Sequence, residues 1–190
     1  MAYKLTKGID NVPEYNLGGI SNIWLLNIDD FKAYQFRDDS LYNSGYVDEV
    51  YKSNPFIELG RVDETNLKET IGNGIYKQEL NTFVRTLSEE TLNWLQYAMQ
   101  GRYLVIFRTM HDRFFTFGSD GGAKLSYSAQ TGQMGDVNGT TIKLEKNSIY
   151  PMFEVNGDTL KTKVLGSEFL SYITTEKSDI INTNYLIEIP

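Results

Sequence analysis

Apolar and polar positions alternate with a period of two along most of the chain, and the period changes to that of a helix in one place. "SNIWLLNIDDF" holds a compact apolar run, Ile23 to Ile28, suited to a buried strand and closed by Asp29-Asp30. Two further strands are predicted around Phe56–Leu59 and Ile75–Leu87. In the second, Tyr76, Gln78, Leu80, Thr82, Val84 and Thr86 alternate against Ile75, Glu79, Phe83 and Leu87. The "GNG" at residues 72–74 predicts a turn before it, because Gly and Asn tolerate positive φ. Over residues 88–100 the spacing becomes helical. Ser88 is a good N-cap and Glu89 and Glu90 suit the positive end of the helix dipole. Leu92, Leu95, Ala98 and Met99 share a face with Trp94 at its edge, and Gly101 suits the position after the last turn.

"RYLVIFRT" follows, with Tyr103, Val105 and Phe107 on one face and Leu104 and Ile106 on the other. Both faces are apolar, which predicts a central strand covered on both sides. "MHDR" is short enough to fold "FFTFG" back as an antiparallel hairpin partner. "AKLSYSAQTG" and "TTIKLEKNSIYPMFEV" alternate again, and Asn138-Gly139 is a favoured pair for a two-residue hairpin turn between them. "TLKTKVLG", a short helix in "SEFLSYITTEK" and a strand in "NYLIEIP" complete the reading. The segment "YQFRDDSLYNSGYVDEVYKSN" alternates weakly and reads as a solvated acidic face with a turn at Asn43-Ser44-Gly45. The expected fold is mainly β: an antiparallel β-sandwich or barrel with one packed α-helix at about residues 88–100. The expected organisation is an N-terminal arm, residues 1–20, and a single β-rich domain, residues 21–190.

Composition narrows the function. A chain of 190 residues is long enough for one real core, burying roughly 70% of the surface of its unfolded state. Thirteen Tyr and ten Phe favour strands. A net charge of −7 argues against a general nucleic-acid binder, since phosphate affinity comes from Lys and Arg releasing counterions. The absence of cysteine excludes disulfides, Fe–S clusters, Cys-based zinc sites and thiol catalysis, and a single histidine excludes a His-rich metal site. With no apolar leader and no run of roughly 20 apolar residues, neither a signal peptide nor a membrane span is expected, and synthesis in a reducing cytoplasm is.

The glycine-rich stretch "GSDGGA" is the strongest candidate for chemistry, and it fails on context. A phosphate loop opens a helix, whereas this one leads into the strand-like "KLSYS", with no Gly-Lys-Ser/Thr. Asp120 and Asp136 with Asn138 give a fragment of a calcium loop without its other acidic ligands or terminal Glu. The expectation is turn chemistry. His111 lies in a predicted turn beside Asp112 and Arg113, and Ser119 lacks the surroundings of a nucleophile elbow. Arg102, Arg108 and Arg113 flank the hairpin. They suit either a partner's carboxylates or a solvated edge that discourages aggregation. No catalytic, cofactor or metal residue is nominated, and no enzyme is expected.

The order over residues 88–155, a capped helix, "RYLVIF", "FFTFGSDGGAKLSY" and "GQMGDVNGTTIKLEKNSIYPMFEV", resembles virion subunits of tailed bacteriophages. It is most similar to the tail-tube-like and ring-forming tail or connector proteins of phages of Bacteroidetes, the crAss-like phages among them. The resemblance implies a helix packed on a small sandwich, and copies forming a ring or tube around a DNA channel in a tail or head–tail connector. Strands of neighbours would join into an inner barrel, and an acidic lumen would let genomic DNA pass without specific binding. The implied partners are the chain itself and neighbouring tail or portal/connector proteins, in a virion assembled in the host cytoplasm. The alternative is a baseplate or decoration module that binds a ligand. Tyr15, Asp38, Asp39, Tyr46, Arg108, His111, Arg113 and Asn138 are the candidate subunit-interface residues.

Overall fold

The computed structural model describes residues 9, 18–37, 45–59, 63–131 and 137–161. Tyr15, Asp38, Asp39, most of the predicted arm and the predicted C-terminal helix and strand lie outside them. The strands are β1 (Ile20–Asn27), β2 (Phe31–Phe36), β3 (Tyr46–Lys52), β4 (Ile57–Glu58), β5 (Asp63–Gly72) and β6 (Ile75–Val84). After the helix α1 (Glu89–Ala98) come β7 (Arg102–Thr109), β8 (Phe114–Phe117), β9 (Ala123–Gln130), β10 (Gly139–Ser148) and β11 (Phe153–Val155). Among the described residues the fold is mainly β with one α-helix. The eleven described strands form a mixed sheet in the order β2-β3-β11-β8-β7-β9-β10-β6-β5, with β1 on β7 and β4 on β1, and among the described residues the sheet does not close. It is a sandwich and not a barrel. Every pairing is antiparallel except that of β3 with β11.

The central strand is β7. Along one edge it pairs with β1 from Ile20↔Thr109 to Asn27↔Tyr103. The other edge is divided: Phe114–Phe117 of β8 pair with Val105–Arg108, and Ala123 and Lys124 of β9 pair with Tyr103 and Arg102. Residues 118–122 are the step between the two. Gly118, Gly121 and Gly122 hold φ of 90°, 97° and 79°, and the Gly122 amide donates to the Gly118 carbonyl at 2.9 Å. The glycine-rich stretch is therefore a turn by which the chain leaves β8 and enters β9 along the same edge of β7.

As the alternation of β7 predicts, its two faces bury into two cores. Tyr103, Val105 and Phe107 join Ile23 and Leu25 of β1, Leu80, Leu125, Ile142 and Leu144 of the β6–β9–β10 sheet, and Leu95 and Ala98 of α1. Leu104 and Ile106 join Leu26, Val47, Val50 and Val155, with Trp24, Phe31, Tyr34 and Phe153 packed around them. The β1–β7 pair is thus a middle layer covered on both sides.

The helix starts as predicted, the Thr91 amide donating to the Ser88 hydroxyl at 3.2 Å. Its end differs from the prediction. Gly101 is not left-handed. A Cβ there would stand 2.6 Å from the Tyr103 hydroxyl, which donates to the Ala98 carbonyl at 2.9 Å and caps the last turn. Met99 follows the helix and is 45% exposed, outside the buried stripe. Asn138-Gly139 is not a two-residue turn either, for Gly139 already pairs with Gln130 in the β9–β10 ladder. A Cβ at Gly139 would lie 2.4 Å from the Phe83 ring, so close packing is what requires this glycine. The acidic segment hides two strands. In β3, Val47 and Val50 enter the second core and Lys52 turns inward, its ammonium donating to the Thr159 carbonyl at 3.2 Å.

Tyr34 belongs to an aromatic cluster with Phe31, Phe36 and Phe153, and its hydroxyl shares a hydrogen bond of 3.0 Å with Thr116 Oγ1. Burial raises the phenol well above its ordinary pKa of 10.0. Folding therefore favours the protonated form. That contribution is complete below the unfolded pKa and is lost as the pH rises toward the folded one. Tyr34→Phe is expected to cost about 1 kcal/mol at neutral pH and to reduce the alkaline loss of stability. Burial also raises Tyr51 and Tyr103, which retain the remainder of that loss. Denaturant titrations between about pH 8 and about pH 11 check this.

Candidate functional site

Three of the predicted interface residues meet in one groove. The β7–β8 turn, the start of β3 and the residues after β11 enclose about 650 Å³, lined by Tyr46, Arg108 and Arg113 together with Trp24, Phe114 and Glu154. The turn is built locally. The Asp112 amide donates to the Thr109 carbonyl, the Thr109 amide donates to the Arg113 carbonyl, and Asp112 takes φ of 63° at the position where such three-residue loops need a left-handed residue.

Arg113 forms a two-pronged pair with Glu154, Nε to Oε1 at 2.9 Å and Nη2 to Oε2 at 2.6 Å. That hydrogen-bonded carboxylate raises the Arg113 pKa further above its usual value. Arg108 pairs with Asp112, and its guanidinium lies 5.9 Å from the Phe114 ring, which itself stacks on Trp24. Both arginines thus meet carboxylates of their own chain. Tyr46 lies under Arg37, 4.1 Å from ring centre to guanidinium, and Arg37 bonds Asp48. His111 is exposed on the turn, and Asn138 is exposed before β10 and does not line this groove.

A second surface was not nominated from the sequence. β5 and β6 form a hairpin of ten residues per strand, closed by the two-residue turn Asn73-Gly74 with φ of 53° and 77°. At its tip Ile71 and Ile75 are 64% and 48% exposed. β10 pairs Ser148 with Tyr76, so Ile149 and Tyr150 emerge beside them, 65% and 48% exposed. A polar brace holds this end. Gln78 Nε2 donates to Glu69 Oε2 at 2.7 Å and to the Tyr150 carbonyl at 3.2 Å, and the Met152 amide donates to the same Glu69 oxygen at 2.8 Å. Among the described residues the outer edges of β5 and β2 have no partner strand. The "GNG" turn with an isoleucine on either side was the available signal. β5 escaped notice because "DETNLKETIG" carries one leucine and one isoleucine among polar residues, as an edge strand permits.

Among the described residues no group of three or more His, Asp or Glu is placed to hold a metal ion. No described helix is long and apolar enough to cross a membrane. In comparisons with known proteins, no family model, no curated protein and no solved structure matches the chain.

Proposed function

We propose that the chain is a structural virion subunit that joins copies of itself head to tail into a ring or tube around the DNA channel of a phage tail or head–tail connector. The observation that carries this reading is the open sheet: among the described residues its two ends, β2 and β5, have unpaired outer edges, and β5 belongs to a long hairpin with an apolar tip. Pairing the β5 edge of one copy with the β2 edge of the next is a heterologous contact, and such contacts close into rings when the rotation between copies divides the circle. Covering Ile71, Ile75, Ile149 and Tyr150 contributes up to about 2 kcal/mol for each side chain. Net charge of −7 per copy suits a channel that repels DNA phosphates and lets them slide. The 650 Å³ groove with Trp24 and Phe114 favours a second reading, a baseplate or decoration module that holds a ligand there.

Light scattering over a range of concentrations, with electron micrographs of the same samples, tests self-assembly. The wild type is expected to give rings or stacked tubes. The double variant Ile71→Lys, Ile75→Lys is expected to stay monomeric with an unchanged thermal midpoint, because both positions are exposed. A wild type that is monomeric at every concentration overturns the self-assembly reading and moves the weight to the ligand-binding one.

A further inference from the structure

On the solvent side of the glycine step lies a second groove, of about 680 Å³, whose charge opposes that of the chain. Lys77, Arg102, Lys124 and Lys146 line it against only Asp120 and Glu145, in a protein of net charge −7. Two of the cations are engaged. Lys146 donates to the Asp120 carbonyl and stands 3.4 Å from its carboxylate, and Lys77 pairs with Glu79 at 2.7 Å. Glu145 is held by Lys143 at 2.8 Å.

Arg102 and Lys124 are the remainder. They are direct cross-strand partners where β9 rejoins β7, and both are exposed; Glu145 stands opposite Lys124 on β10 but pairs with Lys143, and among the described residues neither cation has an ion pair or hydrogen bond. Like charges placed opposite one another on adjacent strands repel. The chain holds them together all the same, because Gly122 packs on Arg102: a Cβ there would lie 2.6 Å from the Arg102 Cβ. Gly121, with φ of 97°, forms the rim.

The geometry points to an oxyanion site in which a small phosphate-type dianion bridges Arg102 and Lys124. A guanidinium and an ammonium side by side match a tetrahedral oxyanion, the first through its planar fork and the second as a point charge. A dianion between them converts the repulsion into two attractions. A long polyanion must also approach the acidic remainder of the surface, so the groove selects a small ligand over a nucleic-acid backbone. This site stands independently of the assembly reading, since neither cation lies at the hairpin tip or on the outer edges of β2 and β5.

Calorimetric titration of the full chain with pyrophosphate at low ionic strength is the test, with a short single-stranded oligonucleotide as second probe. Saturable binding of pyrophosphate at one site is expected. Arg102→Gln and Lys124→Gln should each weaken it about tenfold, and Lys68→Gln, which removes an exposed cation from β5 outside the groove, should leave it within about twofold. The backbone amides of Gly121 and Gly122 should show the largest NMR shifts. The proposal is overturned by absence of saturation, by equal weakening in Lys68→Gln, or by tighter binding of the oligonucleotide, which assigns the groove to nucleic-acid phosphates.

Discussion

Replacing Gly118 by alanine is expected to destabilise the protein by about 3 kcal/mol or more, a large part of the total stability of a domain this size. Two costs combine. The backbone holds φ of 90°, where a side chain costs roughly 1–2 kcal/mol. The new Cβ would also stand 2.8 Å from the Tyr103 carbonyl oxygen and 3.1 Å from the Ala123 amide nitrogen. Neither neighbour can yield cheaply, because Tyr103 and Ala123 are the pair that returns β9 to the edge of β7. Gly121→Ala is the internal comparison. Its φ is as unfavourable, but the nearest atom is the Lys146 ammonium at 3.6 Å, so only the conformational cost of about 1–2 kcal/mol applies. Denaturant unfolding of the two variants measures the difference. Equal losses would show that the backbones do not approach closely at Gly118, and the account of the step from β8 to β9 would fall with them.

The second large effect is expected at Phe107. Its side chain is 3% exposed, stacks on Phe115 at 5.7 Å and meets Phe117 edge-on at 6.4 Å, in the core shared by the middle layer and the β6–β9–β10 sheet. Phe107→Ala should cost about 3–5 kcal/mol, the lost burial plus the cavity that a rigid sheet cannot collapse to fill. Phe36→Ala removes the same atoms from a position that is 43% exposed, at the margin of the aromatic cluster, and should cost well under half as much. A fall in denaturant midpoint with unchanged slope identifies the effect as one on the native state. Similar losses in both variants would contradict a middle layer covered on its two faces.

Both predictions concern β7, and β7 was the most legible element of the chain. Its unbroken apolar run from Tyr103 to Phe107 at period two demands cover on both faces whatever supplies that cover. Ser88 with Glu89 and Glu90 marked the helix start, because capping depends on residues within one turn of each other. The "GNG" at residues 72–74 marked a turn for the same reason, though not the strand β5 that makes it a hairpin. Of the residues expected at an interface, Tyr46, Arg108 and Arg113 line one groove, and their neighbours in it, Trp24 and Glu154, are distant from them in sequence.

Local sequence thus determined where most of the apolar strands, the helix and the turns before β6 and after β7 lie, since each follows from side-chain period, cap or φ preference over a few residues, whereas the more polar β2, β3 and β5 were not legible. The tertiary structure alone decided which strands distant in the chain are neighbours: that β9 shares one edge of β7 with β8, that Lys52 turns inward, and that Gly101 and Gly139 serve close packing instead of turns. It alone also brought Arg102 opposite Lys124. Those outcomes depend on pairing register and on atoms that approach from far along the chain, and no window of neighbouring residues contains that information.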